Sequence, residues 1–345
     1  MSASTAHAAA PGLPPHVQLI KMGSAYWKSR IVYAAAKLGL PDQLASGAKS
    51  ATELAEPLAV HGPSLHRFMR ALASLGLLAE GEGGRFALTP LGAALRTGAP
   101  GSARASILAL AGPIFTRPLD DLIYSIKTGK TAFEKIFAMP VFDYLKQHHD
   151  EASLISEFMV GFHGGEPPTV AAAYDFSKLE TIVDVGGATG NMLAAILERY
   201  EGPCGVLFDM PHIVTDAPTL LKARGIDRRV AIESGDFFNT VPAGGDAYIL
   251  SHIIHDWSEE QCLAILGNCR KAMKPGGRVL IVEMVLPAGD TPHPGKLLDM
   301  VMLTMPGGRE RTEVEYSSLL AKAGFRLTRV IPTDSAVSVV EAVLA

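Results

Sequence analysis

The sequence is short of several things, and each shortage removes a class of protein. Its three cysteines, Cys204, Cys262 and Cys269, are irregularly spaced and form no CxxC pair, which excludes a disulfide framework and a cysteine-built zinc site. A reducing, cytoplasmic setting is the expectation. Charged residues make up only 19% of the chain and the net charge is −4, so there is no basic excess to attract nucleic acid or an anionic membrane. No apolar run nears the ~20 residues that span a bilayer; Val279 to Leu286 is interrupted by Glu283. Residues 1–16 lack a basic start followed by an apolar run and read as a disordered leader, not a signal peptide.

What is present is ample apolar material, 48% of 345 residues, enough for a large unit and a smaller helper. Over 17–100, apolar residues at helical spacing (Arg30 to Leu38, Ser50 to Leu58, Pro63 to Leu75) precede a short strand, a Gly-rich turn and a second strand (Leu77 to Leu88). Helices followed by a small hairpin suggest a winged-helix-like domain. The helix that would read DNA carries only Arg67 and Arg70 among apolar residues, thin for phosphate contacts, so packing or dimerisation is the expected role. A proline-interrupted helical segment follows over 101–175 and is expected to help form a substrate chamber. From 176 to 345 β-rich runs alternate with helical ones, which predicts an α/β domain with a mostly parallel sheet and an antiparallel end.

Three strand ends of this second half carry chemistry. Thr181 to Val185 breaks into Gly186-Gly187-Ala188-Thr189-Gly190 and opens a helix; with Asp184 at the strand end, this is a turn whose backbone a ligand can approach. Ala188 stands where the dinucleotide motif needs its second glycine, and no Gly-Lys-Ser/Thr follows, so neither NAD nor ATP is favoured. Nineteen residues past Gly190 stands Asp209, followed by Met210, where a carboxylate can accept the hydroxyls of a ribose. The third end, Gly235-Asp236-Phe237, offers an acid for an exocyclic amine and a ring for the face of an adenine. Each feature alone has an ordinary explanation as a tight loop or a helix cap; in order, they describe a nucleoside site without phosphate-binding features.

The fourth strand runs into Ser251-His252-Ile253-Ile254-His255-Asp256-Trp257. Here the chain resembles the S-adenosylmethionine-dependent small-molecule O-methyltransferases of plant caffeate and flavonoid pathways and of bacterial antibiotic tailoring, whose pattern at this strand ends in His-Asp-Trp. The resemblance extends from about His16 to Ala345 and includes Pro306-Gly307-Gly308-Arg309-Glu310-Arg311-Thr312. It implies a Rossmann-like methyltransferase sheet, a homodimer built through the helical opening, and S-adenosylmethionine held by the three strand ends and Ser251, where many relatives have lysine. It implies that His255 is the general base, with Glu283 and Glu310 holding its ring. A histidine near pKa ~6.5 suits that work. By analogy with the family's layout, a small aromatic acceptor, phenolic or polyketide-like, would meet Met159, Phe162, His163, His252, Asp256, Trp257, Met302 and Met305.

No metal is expected, since His148 and His149 are sequence neighbours that cannot face one point on a helix and a histidine base needs none. Two rival functions remain. A methyltransferase fold turned to decarboxylation, hydroxylation or cyclisation would be favoured by loss of the base, yet His255 is present. A ligand-sensing DNA-binding regulator would need the basic stripe that the N-terminal helices lack. For Glu310 the rival role is a surface ion pair with Arg309 or Arg311.

Overall fold

The computed structural model describes residues 13–345. Most of the expected leader lies outside the described residues, while Pro15 and His16 already belong to the first helix, Pro15–Leu38. The chain divides into two compact units, one of residues up to Arg117 with Leu145–Phe162, the other of Pro118–Tyr144 with His163–Ala345. The helical segment expected over 101–175 is thus shared between them.

In the first unit, helix Gly62–Ser74 buries Leu65, Met69 and Leu72, a stripe at helical spacing that packs with Leu54, Leu78 and Phe86. Beside it lies a sheet of β1 (Lys49–Ser50), β2 (Leu78–Glu80) and β3 (Arg85–Leu88), all antiparallel in the order β1-β3-β2. Helices capped by a hairpin are present, with β1 as an edge too short to show in the sequence pattern.

The second unit is built on β4 (Thr181–Val185), β5 (Cys204–Asp209), β6 (Val230–Ser234), β7 (Ala247–Ser251), β8 (Arg278–Glu283), β11 (Phe325–Pro332) and β12 (Ser338–Leu344) in the order β11-β12-β8-β7-β4-β5-β6. β9 (Val285–Leu286) and β10 (Arg311–Thr312) form a separate parallel pair. The pairs from β6 to β8 are parallel, and β12 and β11 close the edge antiparallel. Residues alternate between two cores: Ile182, Ile249 and Leu280 enter one, Val183, Tyr248 and Ile281 the other. Burial on both faces explains why the central strands β4, β7 and β8 are mostly apolar. Chain order reverses at β4, flanked by β5 and β7, and the carboxyl ends beside such a reversal are where open α/β sheets bind ligands. Among the described residues no helix is long and apolar enough to cross a membrane.

Candidate active site

The ends of β4, β5 and β6 form a shelf of backbone and carboxylates. Gly186 takes φ 74°, a left-handed conformation that glycine adopts freely, and a Cβ on Gly187 would sit 2.5 Å from the Asp184 carboxyl and 2.6 Å from Leu207. Ala188 also has positive φ, 49°, so the residue standing for a glycine holds a strained backbone. Asp209 accepts the Ala188 N–H at 3.0 Å and the Met210 N–H at 2.7 Å, tying the glycine turn to β5. Asp184 is fully buried; burial, then the charge of Asp209, outweighs the nearby Leu193 N–H and pushes its pKa up to about 7. Asp236 accepts from the Phe238 N–H at 2.9 Å and the Asn239 amide at 3.3 Å, one bond on each oxygen. Phe237 stands edge-on to Phe238 and Trp257, and a Cβ on Gly186 would lie 3.7 Å from its ring and overlap Ile253. The glycine loop, the β6 end and the β7 end therefore meet. Gly190 closes the turn at φ 86° against Leu207 and Leu221. A Cβ on Gly235 would lie 2.8 Å from Phe208, and Ser251 ends β7 half-buried.

Beyond β7, one short turn, Ile254–Asp256, carries His255, which is 5% exposed. Its Nδ1 lies 2.7 Å from Glu310 Oε1, and its backbone N–H donates to Glu283 Oε1 at 3.0 Å. The Arg309 N–H donates to its carbonyl at 2.8 Å. Glu283 was expected on the imidazole; instead it holds the backbone, and its other oxygen takes the hydroxyl of buried Tyr316. Glu310 faces inward, 3% exposed, with its N–H on Asp299 Oδ1 at 2.8 Å, which rules out the surface-pair role. Arg309 is the one at the surface, near Glu259, while Arg311 is fully buried and donates to the Ile254 and Arg309 carbonyls. Gly308 makes this closeness possible, because a Cβ there would overlap the His255 carbonyl oxygen and lie 2.5 Å from the carbonyl carbon of Asp256.

Burial alone would push the His255 pKa down, but the carboxylates of Asp256, Glu310 and Glu283 outweigh it and hold the imidazole up at about 10. Burial, with Glu283 and Glu310 behind it, raises Asp256 to about 6 even though His255 Nε2 stands 3.7 Å from its Oδ1. The remaining nitrogen of a ring fixed at Nδ1 is Nε2, which leaves it as the proton-accepting atom.

The other sequence candidates are spread more widely. Trp257 stacks on Phe142 at 4.9 Å, and Met302 and Met305 are buried. Met159 and Phe162 lie on helix His149–His163 in the first unit, with Phe162 against Phe158. His163 and His252 are joined by a residue the sequence did not mark, Glu166, which bonds His163 Nδ1 at 3.1 Å and His252 Nε2 at 2.6 Å. Glu166, Asp299, Arg311 and Tyr316 were missed because a lone polar residue in a helix or strand gives no local sign of a distant partner.

The fold is that of a methyltransferase. A model of the O-methyltransferase domain matches residues 119–326 and one of the O-methyltransferase dimerisation domain matches residues 20–98. The chain belongs to this O-methyltransferase family. It is 42% identical over 324 residues to the phenazine O-methyltransferase PhzM of Lysobacter antibioticus, covering 94% of this chain and 95% of that protein. The O-demethylpuromycin-O-methyltransferase of Streptomyces alboniger is 40% identical over 94% of this chain and 87% of its own length. Among solved structures, NcsB1 from neocarzinostatin biosynthesis, in complex with S-adenosylmethionine and 2-hydroxy-5-methyl naphthoic acid, superposes with a TM-score of 0.81 at 31% identity over 92% of this chain and 96% of that one.

Proposed function

We propose that this chain methylates a hydroxyl of a small aromatic secondary metabolite with S-adenosylmethionine, His255 acting as general base. The observation that carries the reading is the grip on His255: side chain, N–H and carbonyl are each held, by Glu310, Glu283 and Arg309 respectively. A ring held at Nδ1, on a backbone held at both its N–H and its carbonyl, is oriented for proton transfer at Nε2.

The shelf fits the cofactor. Gly186 and Gly187 have no room for side chains, and the turn would let an adenosyl group approach the backbone, with Asp209 toward its ribose and Asp236, Phe237 and Met210 around its base. Buried Asp184 and the Ser251 hydroxyl would serve its amino-acid end. When bound, the cofactor supplies an electrophilic methyl on a sulfonium. The chain's residues do the rest: Nε2 of His255 takes the acceptor hydroxyl's proton while Glu310 keeps Nδ1–H, and the imidazolium so formed lies against carboxylates. Those carboxylates also hold His255 protonated in the resting site near pH 7, so the reactive form grows as pH rises. Trp257, stacked on Phe142, and the phenazine and naphthoate named for relatives support a flat acceptor.

We also propose a homodimer through helix Pro15–Leu38, whose Leu19, Ile20, Met22, Tyr26 and Trp27 are all well exposed. A contiguous apolar surface of this kind marks an association site. The test of function is calorimetric titration with S-adenosylmethionine, S-adenosylhomocysteine and NAD, followed by labelled methyl transfer to a panel of phenolic aromatics with wild type and His255→Ala. Selective binding of the adenosyl pair with transfer lost in His255→Ala supports the reading. Binding without transfer to any acceptor favours the repurposed fold, and binding of neither adenosyl compound overturns the assignment.

A further inference from the structure

We propose that His163, Glu166 and His252 form a binding site for a borderline divalent transition-metal ion of the Zn2+ or Co2+ type. As to ligands, the expectation of no metal rested on His148 and His149 alone. The three side chains come from the end of one helix, the start of the next and the turn after β7. One ligand atom from each lies within 4.8 Å of the other two.

Several observations converge on this cluster. Glu166 is 7% exposed, and its ion-pair partners are two imidazoles, with no lysine or arginine among the described residues. A buried carboxylate normally has a cationic or metal partner, and the helix start at Glu166 offers only a partial positive charge. His252 holds φ 54°, a conformation that costs a non-glycine residue about 1–2 kcal/mol, and strain of that kind concentrates at functional positions. The His163 and His252 rings lie with centroids 3.8 Å apart, and the His252 ring is 5.3 Å from that of His255.

Two of the three spacings are near those of a metal site. With bonds of about 2.1 Å, ligand atoms on one ion stand about 3.0–3.4 Å apart. His163 Nδ1 is 3.1 Å from Glu166 Oε1, and His252 Nε2 is 2.6 Å from Glu166 Oε2, so the second pair opens by a few tenths of an ångström. Each ring proton that now points at Glu166 moves to the ring's other nitrogen. Two imidazoles and a carboxylate leave at least one coordination position open. A chelating donor on an aromatic molecule is the chemical class that would fill it.

The test is independent of methyl transfer. Full-length protein, stripped with chelator, is titrated with Co2+ by absorption and with Zn2+ by calorimetry. Expected is about one ion per chain with a ligand-field spectrum distinct from aqueous cobalt. His252→Ala and Glu166→Gln should weaken binding at least about ten-fold, while His148→Ala/His149→Ala binds as wild type. Glu166→Asp, which keeps the carboxylate, and a thermal melt of each variant separate lost ligation from lost folding. An unchanged aqueous spectrum in the wild type, or binding removed only by the His148/His149 double variant, overturns the site.

Discussion

Replacing Glu310 with glutamine tests the active-site electrostatics most directly. The carboxylate is buried and 2.7 Å from His255 Nδ1, a charge-assisted bond worth about 1.5–3 kcal/mol. One pKa unit equals about 1.4 kcal/mol, so Glu310→Gln should lower the His255 pKa from about 10 by roughly one to two units. Because the base works when neutral, the rise of kcat/KM with pH should shift by the same amount toward lower pH. Its plateau should fall, because an amide can present either its oxygen or its nitrogen to Nδ1 and no longer fixes the tautomer. The stability effect has its own sign. A histidine whose folded pKa is raised contributes fully below its unfolded pKa of ~6.5 and loses that contribution as pH rises through the folded value. The wild type's advantage over the variant in denaturant unfolding should therefore be largest near pH ~6 and shrink toward ~10. A pH–rate rise that stays in place, or moves to higher pH, would refute the claim that Glu310 holds the imidazolium.

Gly308→Ala should act through backbone overlap with His255 and Asp256; strain and disruption of the Arg309 hydrogen bond together predict a loss of about 2–4 kcal/mol, read by denaturant midpoint, with methyl transfer abolished. Tyr316→Phe removes the hydroxyl partner of fully buried Glu283 and should cost about 1–3 kcal/mol; steady-state kinetics should show kcat reduced with the cofactor KM little changed. Ala188→Gly relieves the left-handed φ of 49° and should gain up to about 1 kcal/mol, with tighter S-adenosylmethionine binding by calorimetry; a weaker affinity would show that Ala188 serves the site through its methyl group.

Much of this architecture was open to reading because it rests on local pattern. β4, β7 and β8 are mostly apolar runs, as befits strands buried on both faces, and the turn after β4 announces itself through glycines that take conformations other residues resist. What local pattern cannot supply is the atom a side chain reaches. Glu283 stands in an apolar strand, so the need for a partner was legible, but the partner depends on where Tyr316 arrives 33 residues later. Its carboxylate is spent on the hydroxyl and on a backbone N–H, leaving the imidazole to Glu310. Asp236 shows the same limit: an acid after a strand reads alike whether or not it braces its own loop, and the bonds to Phe238 and Asn239 appear only in the fold. His252 is the sharper instance, since its side chain meets Glu166 only because the backbone turns to positive φ just after β7, a turn no residue type there announces. Chemistry at the strand ends is thus written in residue identity, whereas the hydrogen-bond partners that tune it are set by long-range packing, and that is where substitutions such as Glu310→Gln and Tyr316→Phe will discriminate.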